Sequence, residues 1–278
     1  MSINEIALPS YTLADARFRV RHGPAGRTHP MIAPQHLRKA PITEALIDFR
    51  IDRAPGVTPE TFEAVRASVL DRFPLVEEKR GVQAKLEIQA GRLTADTRDL
   101  GFQGLHFKTA DGRTIAQFRP DGFTLNRLKP YSSWDELFPE ALRLWSLYRD
   151  SVAPQSVKRV ALRYINHLTF PLESGEQLAL YLTTPSPVPP DLPPRVSSFL
   201  TRVVIHDDQT PVSASVTQSM QPSTQSGLVT VLLDIDAFHA VELSPDPEAL
   251  SPVFERLHTF KNRVFFSSLT ERAIGLYE

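Results

Sequence analysis

The sequence predicts an α+β protein with a largely antiparallel, curved sheet backed by helices. Short runs of alternating apolar and polar residues are joined by Asp-Gly turns, the signature of hairpins rather than parallel crossovers. Three stretches instead carry apolar residues at helical spacing. The order strand, helix, strands, helix also recurs, the second copy beginning about 115 residues after the first.

The first strand is read at residues 42–51, where Ile42, Ala45, Ile47, Phe49 and Ile51 alternate. A helix follows, with Thr58 as cap, Pro59 at its first position and Phe62, Val65, Val69 and Phe73 on one stripe; Pro74 stops it. Strands are expected at 82–90, 104–109, 114–118 and 122–128, the last three turning at Asp111-Gly112 and Asp121-Gly122. Ser133 and Glu136 form a capping box for a second helix, whose buried stripe is Leu137, Ala141, Leu144, Trp145 and Tyr148. The second unit opens with a strand at 157–170 and a short helix at 176–182. A stiff proline-rich connection at 185–194 leads to strands at 196–206, 212–220 and 228–235. Pro247 and Glu248 begin a last helix carrying Leu250, Val253, Phe254, Leu257, Phe260, Val264 and Phe265.

These elements define an irregular basic arm at 1–40, a first β-α-β(3–4)-α unit at 41–155 and a second unit at 156–278 packed on the same sheet. Two such pseudo-repeats joined edge to edge resemble the TATA-binding-protein-like saddle. A single helix-grip sheet is the alternative. Neither architecture implies a function.

The 278 residues include no cysteine, which removes disulfides, zinc-thiolate sites and thiol nucleophiles and fits a cytoplasmic location. No apolar run approaches the roughly 20 residues a bilayer requires, so no membrane partner is expected. The formal net charge of −1 conceals a division. Residues 1–170 carry 25 basic and 19 acidic side chains, whereas 171–278 carry 6 and 13. Within the arm, Arg17, Arg19, Arg21, Arg27, Arg38 and Lys39 offer weak attraction for nucleic acid, although no strongly basic domain is present. His22, His29 and His36 recur every seventh residue, but glycines and prolines between them break the helix that would align them.

Four segments resemble a sporadically distributed prokaryotic family of conserved hypothetical proteins. They are Ala40-Pro41-Ile42-Thr43-Glu44-Ala45; Gln117-Phe118-Arg119-Pro120-Asp121-Gly122-Phe123 with Asn126-Arg127; Pro130-Tyr131 leading to Trp134; and Arg163-Tyr164-Ile165-Asn166-His167. The resemblance covers residues 40–278 and is sharpest between about 113 and 171. It implies a shared fold, and a genomic setting on mobile or defence-associated islands, without assigning a chemistry.

The functional candidates come from these motifs. Arg119, Asn126 and Arg127 are expected to converge with Arg163 and Asn166 on one sheet surface, where guanidinium forks and amides suit a carboxylate, a phosphate or a peptide backbone. His167 is the best single titratable candidate. Asp234 and Asp236 read as carboxylates at an exposed strand end. Phosphate-binding glycine loops, nucleophile elbows and metalloprotease motifs are all missing, so no catalytic set, cofactor or metal is assigned. The favoured function is therefore a non-catalytic binding or adaptor module for a protein partner or a small anionic ligand. The alternative is a hydrolase with a cleft built from His167 and a carboxylate such as Glu44 or Asp121. A lesser alternative is nucleic-acid binding through the arm.

Overall fold

The computed structural model describes residues 37–89, 92–172, 177–185, 189, 191–192, 196–222 and 227–278, without the side chains of 84–96. All of them belong to the compact unit Ile32–Glu278. The arm up to residue 36, its three histidines and much of the proline-rich connection lie outside the described residues.

Nine strands build one antiparallel sheet: β1 (Ile42–Arg50), β2 (Leu75–Gln89), β3 (Arg92–Lys108), β4 (Thr114–Arg119), β5 (Gly122–Leu128), β6 (Arg159–Pro171), β7 (Leu200–His206), β8 (Ser213–Gln221) and β9 (Leu228–His239). Their lateral order is β2-β3-β4-β5-β1-β6-β9-β8-β7. The first strand of each half thus lies at the centre, flanked by the last strand of its own half. Ile47 opposes Leu125 on one side and Leu162 on the other, which joins the two halves through the core.

Helices cover one face. α1 (Glu63–Val69) continues a 3-10 turn, α2 (Trp134–Val152) packs over β5, and α3 (Pro247–Ser268) packs over β6 and β9; the short α4 (Glu271–Ile274) ends the chain. The expected cap of α2 is present, with the Ser133 hydroxyl accepting from the Glu136 backbone N–H at 3.2 Å. The alternation read in β1 places Ala45, Ile47 and Phe49 under the helices, all fully buried. Phe49 stacks on Trp145 of α2 at 4.5 Å between ring centroids and meets Phe254 of α3 at 4.9 Å. Aromatic contacts thus fasten both long helices to the central strand. Tyr148 adds a polar anchor, its hydroxyl donating to the Arg119 carbonyl at 2.9 Å.

The β2–β3 hairpin is longer than its apolar pattern implies. Its strands are Leu75–Gln89 and Arg92–Lys108, so residues 92–103, which the apolar pattern leaves unassigned, belong to strand. The pairing register shifts at Lys79/Arg80 and again at Gly81/Val82, which breaks the period-two signal. Farther along the chain, Asp234 and Asp236 lie inside β9 rather than at an exposed strand end. Leu232, Leu233 and Ile235 mark a shorter apolar run than the strand that forms.

Candidate functional site

The face opposite the helices carries the first group of motif residues. Pairing aligns Gln117 with Thr124, Thr124 with Asp48, Asp48 with Ala161, Leu46 with Arg163, and Arg163 with Asp236. This surface is nearly self-neutralised. Arg119 donates to Asp48 at 3.1 Å, to Asp121 at 3.2 Å and to the Thr124 hydroxyl at 2.8 Å. Arg50 reaches Asp48 and Asp121, each at 2.9 Å. Arg159 holds Asp236 at 2.7 Å, and Arg163 grips both oxygens of Asp234 at 2.8 and 2.6 Å. Asn126 donates its amide to Glu44 at 2.5 Å. The arginines are therefore already engaged with carboxylates, Arg163 in the forked geometry that an anionic ligand would need.

Protonation follows from these contacts. Burial pushes the Asp48 carboxyl up, but the Arg50 charge, the Thr124 hydroxyl and the Arg119 charge outweigh it and hold the group below its ordinary value. Burial wins at Asp236, which is raised despite Arg159 and Arg163. A lowered carboxyl contributes stability that is present above its unfolded value and lost as pH falls through the folded one. Arg119→Ala is accordingly expected to cost about 1–3 kcal/mol, because Asp48 keeps Arg50 but loses a buried partner. Acid unfolding should also move to higher pH, which urea melts across the acid range measure. Wild-type stability in that variant would show that the network contributes nothing to folding.

The expected convergence on one surface does not occur. Arg119, Asn126, Arg163 and His167 share the open face, but Arg127 and Asn166 point to the helix side. Neighbouring residues 126 and 127 must oppose each other on a strand, and so must 163 and 166. Arg127 instead donates to the Thr114 hydroxyl at 2.5 Å. His167 is exposed, and no hydrogen bond or ion pair joins its side chain to Glu44 or to Asp121, which Arg50 and Arg119 hold.

A second group of motif residues assembles on the helix side, around a cleft of about 640 Å³. Residues 37–42 supply one part of the lining. The turn 129–133, whose Lys129–Pro130 peptide is cis, and Trp134 at the start of α2 supply another. Tyr164 and Asn166 come from β6, and His258, Lys261, Asn262, Phe265 and Phe266 from α3. The pairing of Ile42 with Asn166 brings the first and last motifs together.

Aromatic groups shape the cleft. The Tyr131 and Tyr164 hydroxyls share a hydrogen bond at 2.7 Å, with their rings edge to face. Trp134 lies flat against both His258, at 4.4 Å, and Phe138, at 4.5 Å, with its indole N–H donating to Glu255 at 3.1 Å. Lys261 is 7% exposed, and its Nζ sits 3.8 Å from the centre of the Tyr164 ring and donates to Asn262 Oδ1 at 2.5 Å. Among the described residues it has no carboxylate partner. Burial lowers its amine to about 7. Burial, and then the charge of Lys261, push His258 down to about 4, and burial raises the Tyr131 hydroxyl to about 12. Near neutral pH the cleft therefore offers a neutral imidazole, neutral tyrosine hydroxyls and an amine poised between its two forms.

Asn166 donates to the carbonyls of Tyr164 and Leu233 at 3.3 and 3.0 Å, while its buried Oδ1 has no partner among the described residues. Among the described residues, Arg38, Lys39 and Lys129 line the cleft as cations beside the Lys261 amine, against the carboxylate of Asp135. Aromatic side chains and surplus positive charge together fit a small ligand with an anionic group and a ring.

Of the motif residues singled out in the sequence as site candidates, only Asn166 lines this cleft, joined by Arg38 and Lys39 from the end of the basic arm. Tyr131, Trp134 and Tyr164 lie in the quoted motifs but carry no obvious chemistry alone. Lys261 had a clearer signal, since it follows Phe254 by seven residues and Leu257 by four and so occupies the buried stripe of α3.

No protein-family model matches the chain, and no curated protein matches it either. Among the described residues, no helix is long and apolar enough to cross a membrane, and no three His, Asp or Glu side chains are grouped to hold a metal.

Proposed function

We propose that this protein is a non-catalytic binding module that captures a small anionic ligand bearing a flat ring in the cleft between the 129–134 segment, β6 and α3. Lys261 carries this reading. An amine buried without a counter-charge costs folding free energy, and a bound anion supplies the missing partner. The rim residues Lys39 and Lys129 add attraction, and Trp134 and His258, stacked together with Phe138, contribute aromatic lining. The open sheet face is the weaker candidate, because its arginines are already engaged. A protein partner presenting an acidic residue would use the same chemistry.

The finer architecture belongs to the same proposal: two β-α-β(n)-α pseudo-repeats in a saddle resembling the TATA-binding-protein-like arrangement. The central β1–β6 pair with matching flanks supports it. Membership of the sporadically distributed prokaryotic family is part of the same proposal and rests on the sequence motifs, of which Pro41-Ile42, Pro130-Tyr131, Trp134, Tyr164 and Asn166 line the cleft.

Anilinonaphthalenesulfonate, an anionic aromatic fluorophore, tests the site. One saturable site per chain is expected. Trp134→Leu and the double variant Lys39→Ser/Lys129→Ser should each weaken binding about tenfold or more, by loss of an aromatic lining residue or of charge. Unchanged binding in both, with loss in Arg163→Ala on the open face, would overturn the assignment.

A further inference from the structure

We infer that Lys261 is a nucleophilic lysine that captures carbonyl-bearing ligands covalently and reversibly as an imine. This rests on the reading of the cleft as an anion- and ring-binding site and adds the chemical class of its ligand. Three structural observations carry it. Lys261 lines a cleft open to small molecules, and its amine is held against an aromatic ring rather than a carboxylate, so no ion pair fixes its proton. Its hydrogen bond to Asn262 uses one N–H and sets the direction of the nitrogen. The Tyr131–Tyr164 hydroxyl pair lines the same cleft and provides a neutral O–H donor for a carbonyl oxygen. Burial also keeps a large share of the amine unprotonated near neutral pH, as attack on a carbonyl requires.

The step balances without a redox partner. The Lys261 nitrogen attacks the carbonyl carbon, the C–N bond forms, and the carbonyl electron pair moves to oxygen, which takes up a proton. Nitrogen loses a proton to give the neutral carbinolamine. Its hydroxyl takes up a second proton and leaves as water while the nitrogen lone pair forms the C=N bond, and loss of the remaining N–H proton gives the neutral imine. Hydrolysis reverses each event, so the ligand is released intact and no turnover is involved.

Two matched probes separate this inference from the reading beneath it. Para-formylbenzenesulfonate carries ring, anion and aldehyde; para-(hydroxymethyl)benzenesulfonate lacks only the carbonyl. The full chain is incubated with the aldehyde, reduced with borohydride and mapped by peptide mass. The expected result is a single dominant secondary-amine adduct on Lys261. Excess alcohol probe should suppress it, and Lys261→Arg, which keeps the charge, should abolish it. The alcohol probe should still bind the Lys261→Arg variant. Labelling spread over surface lysines with Lys261 unmodified overturns the inference, even where the alcohol probe binds in the cleft. Failure of the alcohol probe to bind or compete, with Lys261 still labelled, refutes the binding reading and leaves the reactive lysine standing.

Discussion

Gly122→Ala is expected to abolish stable folding, with a loss above about 4 kcal/mol, beyond the range of most single substitutions. A Cβ at this position would lie 2.0 Å from the Phe49 carbonyl oxygen and 3.1 Å from the Arg50 Cα, both backbone atoms of the central strand. Neither can yield without breaking the β1–β5 ladder, in which Arg50 opposes Gly122. The φ of +145° adds strain of its own, since side-chain-bearing residues avoid that region. Gly112 is the control. Its φ is +68°, but a Cβ added there would meet nothing within 4 Å, so Gly112→Ala should cost only about 1–2 kcal/mol of backbone strain. Urea titrations of the two variants measure the difference. Equal stability in both would show that β5 does not press on β1 as described.

Lys261→Met is expected to stabilise the protein by about 1–4 kcal/mol at pH 7, because an apolar chain of similar length replaces a buried amine. The pH dependence provides a sharper readout. The folded amine lies near 7, below its ordinary value of 10.5. Between those values the unfolded chain binds a proton that the folded chain lacks, so stability rises with pH; below 7 both states hold the proton and the penalty is fully present. Tyr131 and Tyr164, raised by burial, work in the opposite direction only near and above pH 10, and His258 is neutral throughout this window. Arg38, Lys39, Lys129 and Asp135 line the same cleft in both proteins. Wild type should therefore gain roughly 2–3 kcal/mol between pH 7 and 9.5, and Lys261→Met should lose that slope. A slope shared by both proteins would assign the titration elsewhere.

The sheet and its helices were largely legible because their residues repeat with one period at a time. Ala45, Ile47 and Phe49 alternate and lie under the helices, and the Ser133 cap and the α2 stripe fall where the pattern places them. The β2–β3 hairpin was not legible in full, because its bulged register leaves no continuous alternation. The site divides in the same way. That Arg127 opposes Asn126, and Asn166 opposes Arg163, follows from counting residues along a strand. That Arg119 and Arg163 meet carboxylates from β1, β9 and a turn does not, because strand order decides it. The cleft joins residues 42, 131 and 166 only once β1 pairs with β6. Lys261 was visible as a charge within an apolar stripe, and its unpaired state needed the neighbouring elements in place.

The central claim is that the cleft beside Trp134 holds an anionic aromatic ligand, and the chain's two tryptophans permit a direct test. Trp134 lies in the cleft, whereas Trp145 is buried in the core with its indole N–H donating to the Pro245 carbonyl at 2.7 Å. In a proton–nitrogen NMR spectrum of the full chain titrated with anilinonaphthalenesulfonate, the Trp134 indole signal should shift saturably while that of Trp145 stays in place. A Trp134 signal that does not move while the probe saturates a site elsewhere would contradict the account.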